Sequence, residues 1–390
     1  MDVMTQGIIT LLRSGLTGEK LALPEGFDPE QAYSQLRRHQ IQPVCYLGGL
    51  ACGLAKDSPV MQRLFRDYCA ALLYSENQAA QLEELFAAMD AEGVDYMPLK
   101  GCELKKLYPR PEMRTMGDVD ILIRMEQYEH IVPLMERLGY RPGKESDHEL
   151  VWQKDRLMVE LHKRLFPSHN KDLHGHFGDG WARARVVAGT RYAMSPEDTF
   201  AYLISHFAKH YRDGGIGCRH VADLWLYRRA NPQMDPKYLH DQLRAMHLER
   251  FYDGLCTMLS FWFEGGPGDD RARLMTQVIF ESGSWGERSS HILAAALRNK
   301  KGGHSVLGAK IKRLWKLTFL PLWLMKQKYP VLVKLPVLLP VFWVVRAVQI
   351  LFTKGKLTQH SREFAYMSQQ RVDEYEQALR YVGLDFNFEE

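Results

Sequence analysis

The 390-residue sequence predicts an α+β fold in which a small mixed sheet is embedded in a mostly helical protein. Three observations lead there. Apolar residues recur at three- and four-residue spacing up to about residue 92, short apolar runs broken by turns follow between 94 and 165, and helical spacing resumes at Ser195. A chain of this length also exceeds the size at which one hydrophobic core usually stops growing, so several packed units are expected.

The first unit, 1–93, is helical and ends at Gly93, a residue suited to terminating a helix. A sheet-bearing core is expected over 94–194. Its first strand is VDYMPL (94–99), followed by a Lys100-Gly101 turn and one or two helical turns, CELKKLY, stopped by Pro109 and Pro111. DVDILI (118–123) alternates acidic and apolar residues as a strand and leads into the helix EQYEHIVPLMERLG. HELVWQKD (148–155) and RLMVELHKRL (156–165) read as a hairpin turning near Lys154 and Asp155. A helical accessory unit, 195–297, opens on the N-cap signature Ser195-Pro196-Glu197-Asp198. A basic apolar segment occupies 298–358, and 359–390 holds a C-terminal helix and tail.

Hydrophobic residues make up 46% and charged residues 25% of the chain, which excludes a disordered or multi-span membrane protein. The six cysteines are scattered without metal-binding spacing, consistent with a reducing cytoplasm. The first residues, MDVMTQGIITLLRSGL, read as an ordinary helix rather than a signal peptide. Charge is uneven: residues 298–356 hold thirteen Lys or Arg and no acid, so the net charge of +4 leaves 4 − 13 = −9 for the remainder. That asymmetry points to an anionic partner surface.

Side chains of a strand alternate in direction, so Asp118 and Asp120 project from one face, close enough to repel. A divalent cation relieves that repulsion, and hard carboxylate oxygens suit Mg²⁺, with Mn²⁺ the alternative. In VELH, Glu160 and His162 again share a face, Glu160 as a third metal-binding acid and His162 as a supporting residue. Three acids around two metals would serve phosphoryl transfer. Gly101 lets a phosphate approach the backbone at a helix N-terminus, Lys100 adds a mobile cation, and Arg114, in the Arg114-x-x-Gly117 loop, is a second clamp.

The series PLKG (98–101), LYP (107–109), RTMGDVDILI (114–123) and VELHKRL (159–165) resembles the bacterial family of uncharacterised nucleotidyltransferases within the polymerase-beta-like superfamily. The resemblance spans roughly 70–230. It implies an enzyme that moves an NMP from an NTP, ATP among them, to an acceptor hydroxyl or phosphate with release of pyrophosphate. Asp118, Asp120 and Glu160 would be the catalytic and metal-binding acids, and Lys100, Gly101, Arg114 and Gly117 the nucleotide-binding residues. Many superfamily members carry Gly-Ser at the turn where this chain has Gly101-Cys102, which leaves a serine's phosphate contact unfilled.

His206 and His210, at i and i+4, have zinc-binding spacing but no Cys or carboxylate completes a set, and they read as structural. Arg219 and Asp223 read as an i, i+4 ion pair. In the basic segment LPVLLPVFWVV is too short to span a bilayer, while Trp315, Trp323 and Trp343 among basic residues suit a membrane interface at the inner face of the membrane. The acceptor is open among a small molecule, a sugar, a peptide and a protein, and nucleic acid ranks lower because the basic stretch is apolar. A glycosyltransferase with an Asp-x-Asp metal site and a non-catalytic membrane-surface scaffold are the alternatives.

Overall fold

In the computed structural model, residues 1–283, 288–301, 308, 315, 319–352 and 368–384 are described. Four helices open the chain: α1 (Val3–Thr17), α2 (Pro29–Arg38), α3 (Gln42–Ala51) and the 33-residue α4 (Pro59–Ala91). Proline at the first turn of α2, α3 and α4 suits a position whose N–H has no helical partner. At 1.5 Å per residue α4 runs about 50 Å and joins two cores. Val60, Met61 and Leu64 lie in the helical core, and Leu82, Leu85 and Met89 lie under the sheet.

The sheet has seven strands in the order β3-β4-β5-β2-β1-β7-β6. These are β1 (Tyr96–Pro98), β2 (Asp118–Ile123), β3 (Arg141–Glu145), β4 (Glu149–Lys154), β5 (Leu157–His162), β6 (Ala184–Ala188) and β7 (Arg191–Met194). The short α5 (Gly101–Leu104) lies between β1 and β2, and α6 (Tyr128–Arg137) between β2 and β3. β1 and β2 run antiparallel, while α6 and the β3–β4 hairpin return the chain so that β5 lies parallel beside β2. The β4–β5 turn falls at Asp155, whose positive φ of 52° suits a tight reversal.

β3 and the β6–β7 hairpin carry no sequence signal of their own. RPGKE in β3 is exposed along its whole length, and Val186 and Val187 of β6 are exposed, so no face alternates. Glu160 stands on an interior strand flanked by β4 and β2.

Val119, Ile121 and Ile123 of β2 pack with Val159 and Leu161 of β5 against α4 and against Ile131, Leu134 and Met135 of α6. Burying each of these side chains stabilises the fold by about 1.5–3 kcal/mol, which orients β2 firmly. The opposite face, bearing the acids, is thereby turned toward α8 (Pro196–Asp213) and α9 (Cys218–Ala230), which follow α7 (Lys171–Phe177). Ser195 caps α8 by accepting from the Asp198 N–H at 3.1 Å. Phe200, Ile204 and Phe207 of α8 pack into the helical core with Phe251 and Leu255 of α11 (Glu249–Phe263), which follows α10 (Pro236–Ala245). α12 (Asp270–Ser282) and α13 (Arg288–Lys301) complete this region, and a further helix covers Gln369–Tyr381.

Candidate active site

Register decides which side chains meet. β2 and β5 pair Asp120 with Glu160 and Leu122 with His162, so these side chains leave the sheet on one face, as does Asp118 two residues before Asp120. The His162 Nε2 lies 2.9 Å from Asp120 Oδ1 and 3.8 Å from Glu160 Oε2. Ligand atoms of Asp120, Glu160 and His162 all lie within 4.8 Å of one another, the spacing of a metal-binding trio. Asp118 is outside that trio. Of the expected set of Asp118, Asp120 and Glu160, the last two stand in this trio with the buried His162, while Asp118 sits half-buried at the start of β2 on the same face.

The Lys100 ammonium donates to Asp120 Oδ1 at 2.9 Å, and the His206 Nε2 stands 3.2 Å from the same nitrogen. Lys100 thus occupies the flank of the carboxylate that a metal would share, instead of pointing freely to a phosphate. Its backbone lies at φ 37°, ψ −101°, a conformation that costs an L residue about 1–3 kcal/mol and that clusters at functional sites. After it comes Gly101, where a Cβ would stand 2.6 Å from Met116 Sδ and 3.2 Å from an Arg114 guanidinium nitrogen. Glycine is required there by close approach. The helix it opens is only four residues long and offers little dipole to a phosphate.

Charge divides the acids. Burial would raise the Asp120 carboxyl, but the Lys100 charge and the His162 contact outweigh it and hold the group well below the usual carboxylate range. Glu160 goes the other way, from 4.5 to about 8, through burial and the charges of Asp120, Asp118 and Glu149. Burial and Asp120 also raise Asp118. The mutual repulsion of these acids fits a cation-binding site with hard oxygen ligands and one imidazole.

Arg114, expected as a second clamp, is held by Asp223. Its Nε and an Nη donate to the two Asp223 oxygens at 2.7 and 2.8 Å, and both side chains are only 5% exposed. The Tyr108 hydroxyl donates to the same carboxylate at 2.8 Å. Asp223 therefore binds the loop before β2 rather than closing an i, i+4 pair, and Arg219 reaches the Thr115 carbonyl at 2.5 Å. Gly117 is exposed, and a Cβ there would meet open space. Cys102 is buried and donates its thiol to the Leu99 carbonyl at 3.4 Å, so it does not replace the absent serine.

These groups open onto a cavity of about 470 Å³ walled by the sheet face, α8 and α9, a size in the range of small-ligand pockets. His206 and His210 line it and stand 3.1 Å apart through their Nε2 atoms, with the His206 nitrogen also facing Lys100. Both rings are held below the ordinary imidazole range by burial and nearby lysines, His210 at about 3. Sequence spacing gave no reason to place them here, since the decisive neighbour lies 106 residues earlier in the chain.

A family model described as uncharacterised nucleotidyltransferase matches residues 25–264, well over half of the chain. The chain belongs to this nucleotidyltransferase family. It is therefore an enzyme, and the glycosyltransferase and scaffold alternatives are set aside. Among solved structures, this nucleotidyltransferase is similar to the antibiotic-resistance factor ANT(2'')-Ia at 14% identity, over 44% of this chain and 91% of that one, with a TM-score of 0.33. No curated protein matches it.

Proposed function

We propose that this nucleotidyltransferase moves an NMP from an NTP to an acceptor hydroxyl or phosphate, releasing pyrophosphate, in a Mg²⁺-dependent reaction. The observation that carries the proposal is the convergence of Asp120, Glu160 and His162 on one sheet face within 4.8 Å, with Asp118 beside them, at the wall of a ligand-sized cavity. Asp120 and Glu160, with Asp118 or His162, would hold the metal. When bound, a divalent metal supplies charge neutralisation at the triphosphate and lowers the pKa of the attacking group. The protein itself positions the reactants: β2 and β5 fix the acids through their buried opposite face. The acceptor oxygen bonds to the α-phosphorus as the bond to pyrophosphate breaks, and the acceptor proton leaves to solvent. Incubation with each α-labelled NTP, Mg²⁺ and cell extract, followed by mass spectrometry of the product, tests the proposal and names the acceptor. Absence of labelled product with all four NTPs would remove it.

Glu160 yields a prediction of its own. Its folded-state pKa of about 8 exceeds the ordinary 4.5, so the folded protein binds more protons between these values and loses stability as pH rises through them. Glu160→Gln is expected to melt higher than wild type above pH 8 without metal, by about 1–2 kcal/mol after allowance for solvent screening, and to match it near pH 4.5. Thermal melts at the two pH values check this.

The proposal extends to the anionic inner face of a membrane as the place of action. Val333, Val337 and Val344 are exposed, at 79% for Val337, on a stretch (319–352) whose charged residues are all basic. Trp315 is also exposed, Trp343 is half-buried, and the Trp323 side chain lies outside the described residues. Among the described residues no helix is long and apolar enough to cross a membrane. Such a surface suits interfacial binding. Co-sedimentation with vesicles containing phosphatidylserine, and none with neutral vesicles, is the expected result.

A further inference from the structure

The cations expected to hold the triphosphate are already engaged. Lys100 sits on Asp120, and Arg114 forks onto both oxygens of Asp223. Buried Cys102, where a serine would bind phosphate, turns its thiol to a backbone carbonyl. A multiply charged anion in this cavity needs other partners.

The opposite wall supplies them. Lys209 lies one helical turn after His206 on the cavity-facing side of α8, and Arg219 and His220 stand in the first turn of α9. Among the described residues no hydrogen bond or ion pair takes up the Lys209 ammonium. Arg219 shares the vicinity of Asp223 with Arg114, so two guanidiniums face one carboxylate that the first of them has already filled. The Arg219 Nε and the His220 Nδ1 are buried with no hydrogen-bond partner among the described residues. Burial and neighbouring cations hold both Lys209 and Arg219 below their ordinary pKa values, although Asp213 and Glu149 pull Lys209, and Asp223 and Asp118 pull Arg219, the other way. Buried or half-buried positive charge without a full counter-charge is costly, and an incoming anion relieves it.

We propose that Lys209 and Arg219, on α8 and α9, form the subsite that receives the β- and γ-phosphates of the NTP, across the cavity from the acids of β2 and β5. The inference rests on the NMP-transfer reading. It assigns the grip on the leaving pyrophosphate to the helical wall rather than to the turn at Lys100-Gly101. The two walls then divide the substrate by charge, with acids and metal on the sheet side and the phosphate tail on the helix side. Arg219 offers directional N–H donors and Lys209 a movable point charge, the two kinds of phosphate contact that guanidinium and ammonium provide.

The test is titration calorimetry of the full chain in Mg²⁺ with inorganic tripolyphosphate, each NTP and the matching NMP. Wild type is expected to bind tripolyphosphate in competition with its NTP. Lys209→Met is expected to weaken both by about ten-fold or more, the loss of one charge-assisted contact, and to leave NMP binding unchanged. Arg219→Gln is expected to behave likewise, with a thermal melt of each variant establishing that it is folded. Unchanged NTP and tripolyphosphate binding in folded Lys209→Met and Arg219→Gln overturns the subsite while the transfer reading stands. Tripolyphosphate binding that does not displace NTP also overturns it, because the cations then serve a phosphorylated acceptor. If wild type binds no nucleotide while Lys209→Met still loses tripolyphosphate, the transfer reading fails and an anion site on α8 and α9 remains.

Discussion

Asp120→Asn is expected to lower NMP transfer by about 10³-fold, the scale on which loss of a positioned charge at a reacting phosphate is felt. The same substitution is also expected to lower the melting temperature of the metal-free protein. Asp120 is the counter-charge of Lys100 and the partner of the buried His162. Removing it leaves a largely buried ammonium, and breaking a buried pair by deleting one partner costs about 3–5 kcal/mol, less here because Lys100 keeps some exposure. The double variant Lys100→Met/Asp120→Asn separates the two effects: it should recover most of the melting temperature and none of the transfer. Activity assays and thermal melts on the two variants and wild type check this, and transfer within ten-fold of wild type in Asp120→Asn would remove Asp120 from the chemistry.

Arg114→Met should show its largest effect in stability. The Arg114–Asp223 pair is bidentate and almost wholly buried, and Asp223 also accepts from Tyr108. Loss of the guanidinium is expected to destabilise the protein by about 3–5 kcal/mol, since an uncompensated carboxylate is left in the interior. Arg114→Lys should recover little, because an ammonium cannot reproduce the planar fork. Arg114→Met/Asp223→Leu, which removes both charges, should melt above Arg114→Met. A mobile phosphate clamp would behave differently, raising KM for the NTP with the melt unchanged. Denaturant unfolding together with steady-state kinetics distinguishes the two.

Much of the sheet was legible because its strands obey local rules. DVDILI forms β2 over the same six residues, and the β4–β5 hairpin turns at Asp155 as expected. The regions not legible were β3 and the β6–β7 hairpin, whose exposed faces leave no apolar alternation to read. Glu160 was expected beside Asp120 through the family resemblance, and the parallel pairing of β2 and β5 brings the two together. The positions of Arg114, His206 and His210 were not legible, because each is fixed by a partner outside its own element: Asp223 on α9 for Arg114, and Lys100 at the end of β1 for His206.

By itself the sequence determined the α+β class and which residues of each strand share a face, Asp118 with Asp120 and Glu160 with His162, since strand alternation and apolar spacing are local properties of the chain, while the motif series carried the nucleotidyltransferase resemblance. Only the tertiary structure decided which cations those acids hold and which remain for a substrate. Pairing among Lys100, Asp120, Arg114 and Asp223 depends on distances between segments far apart in the sequence, and in a water-poor interior such pairs form wherever packing brings opposite charges together.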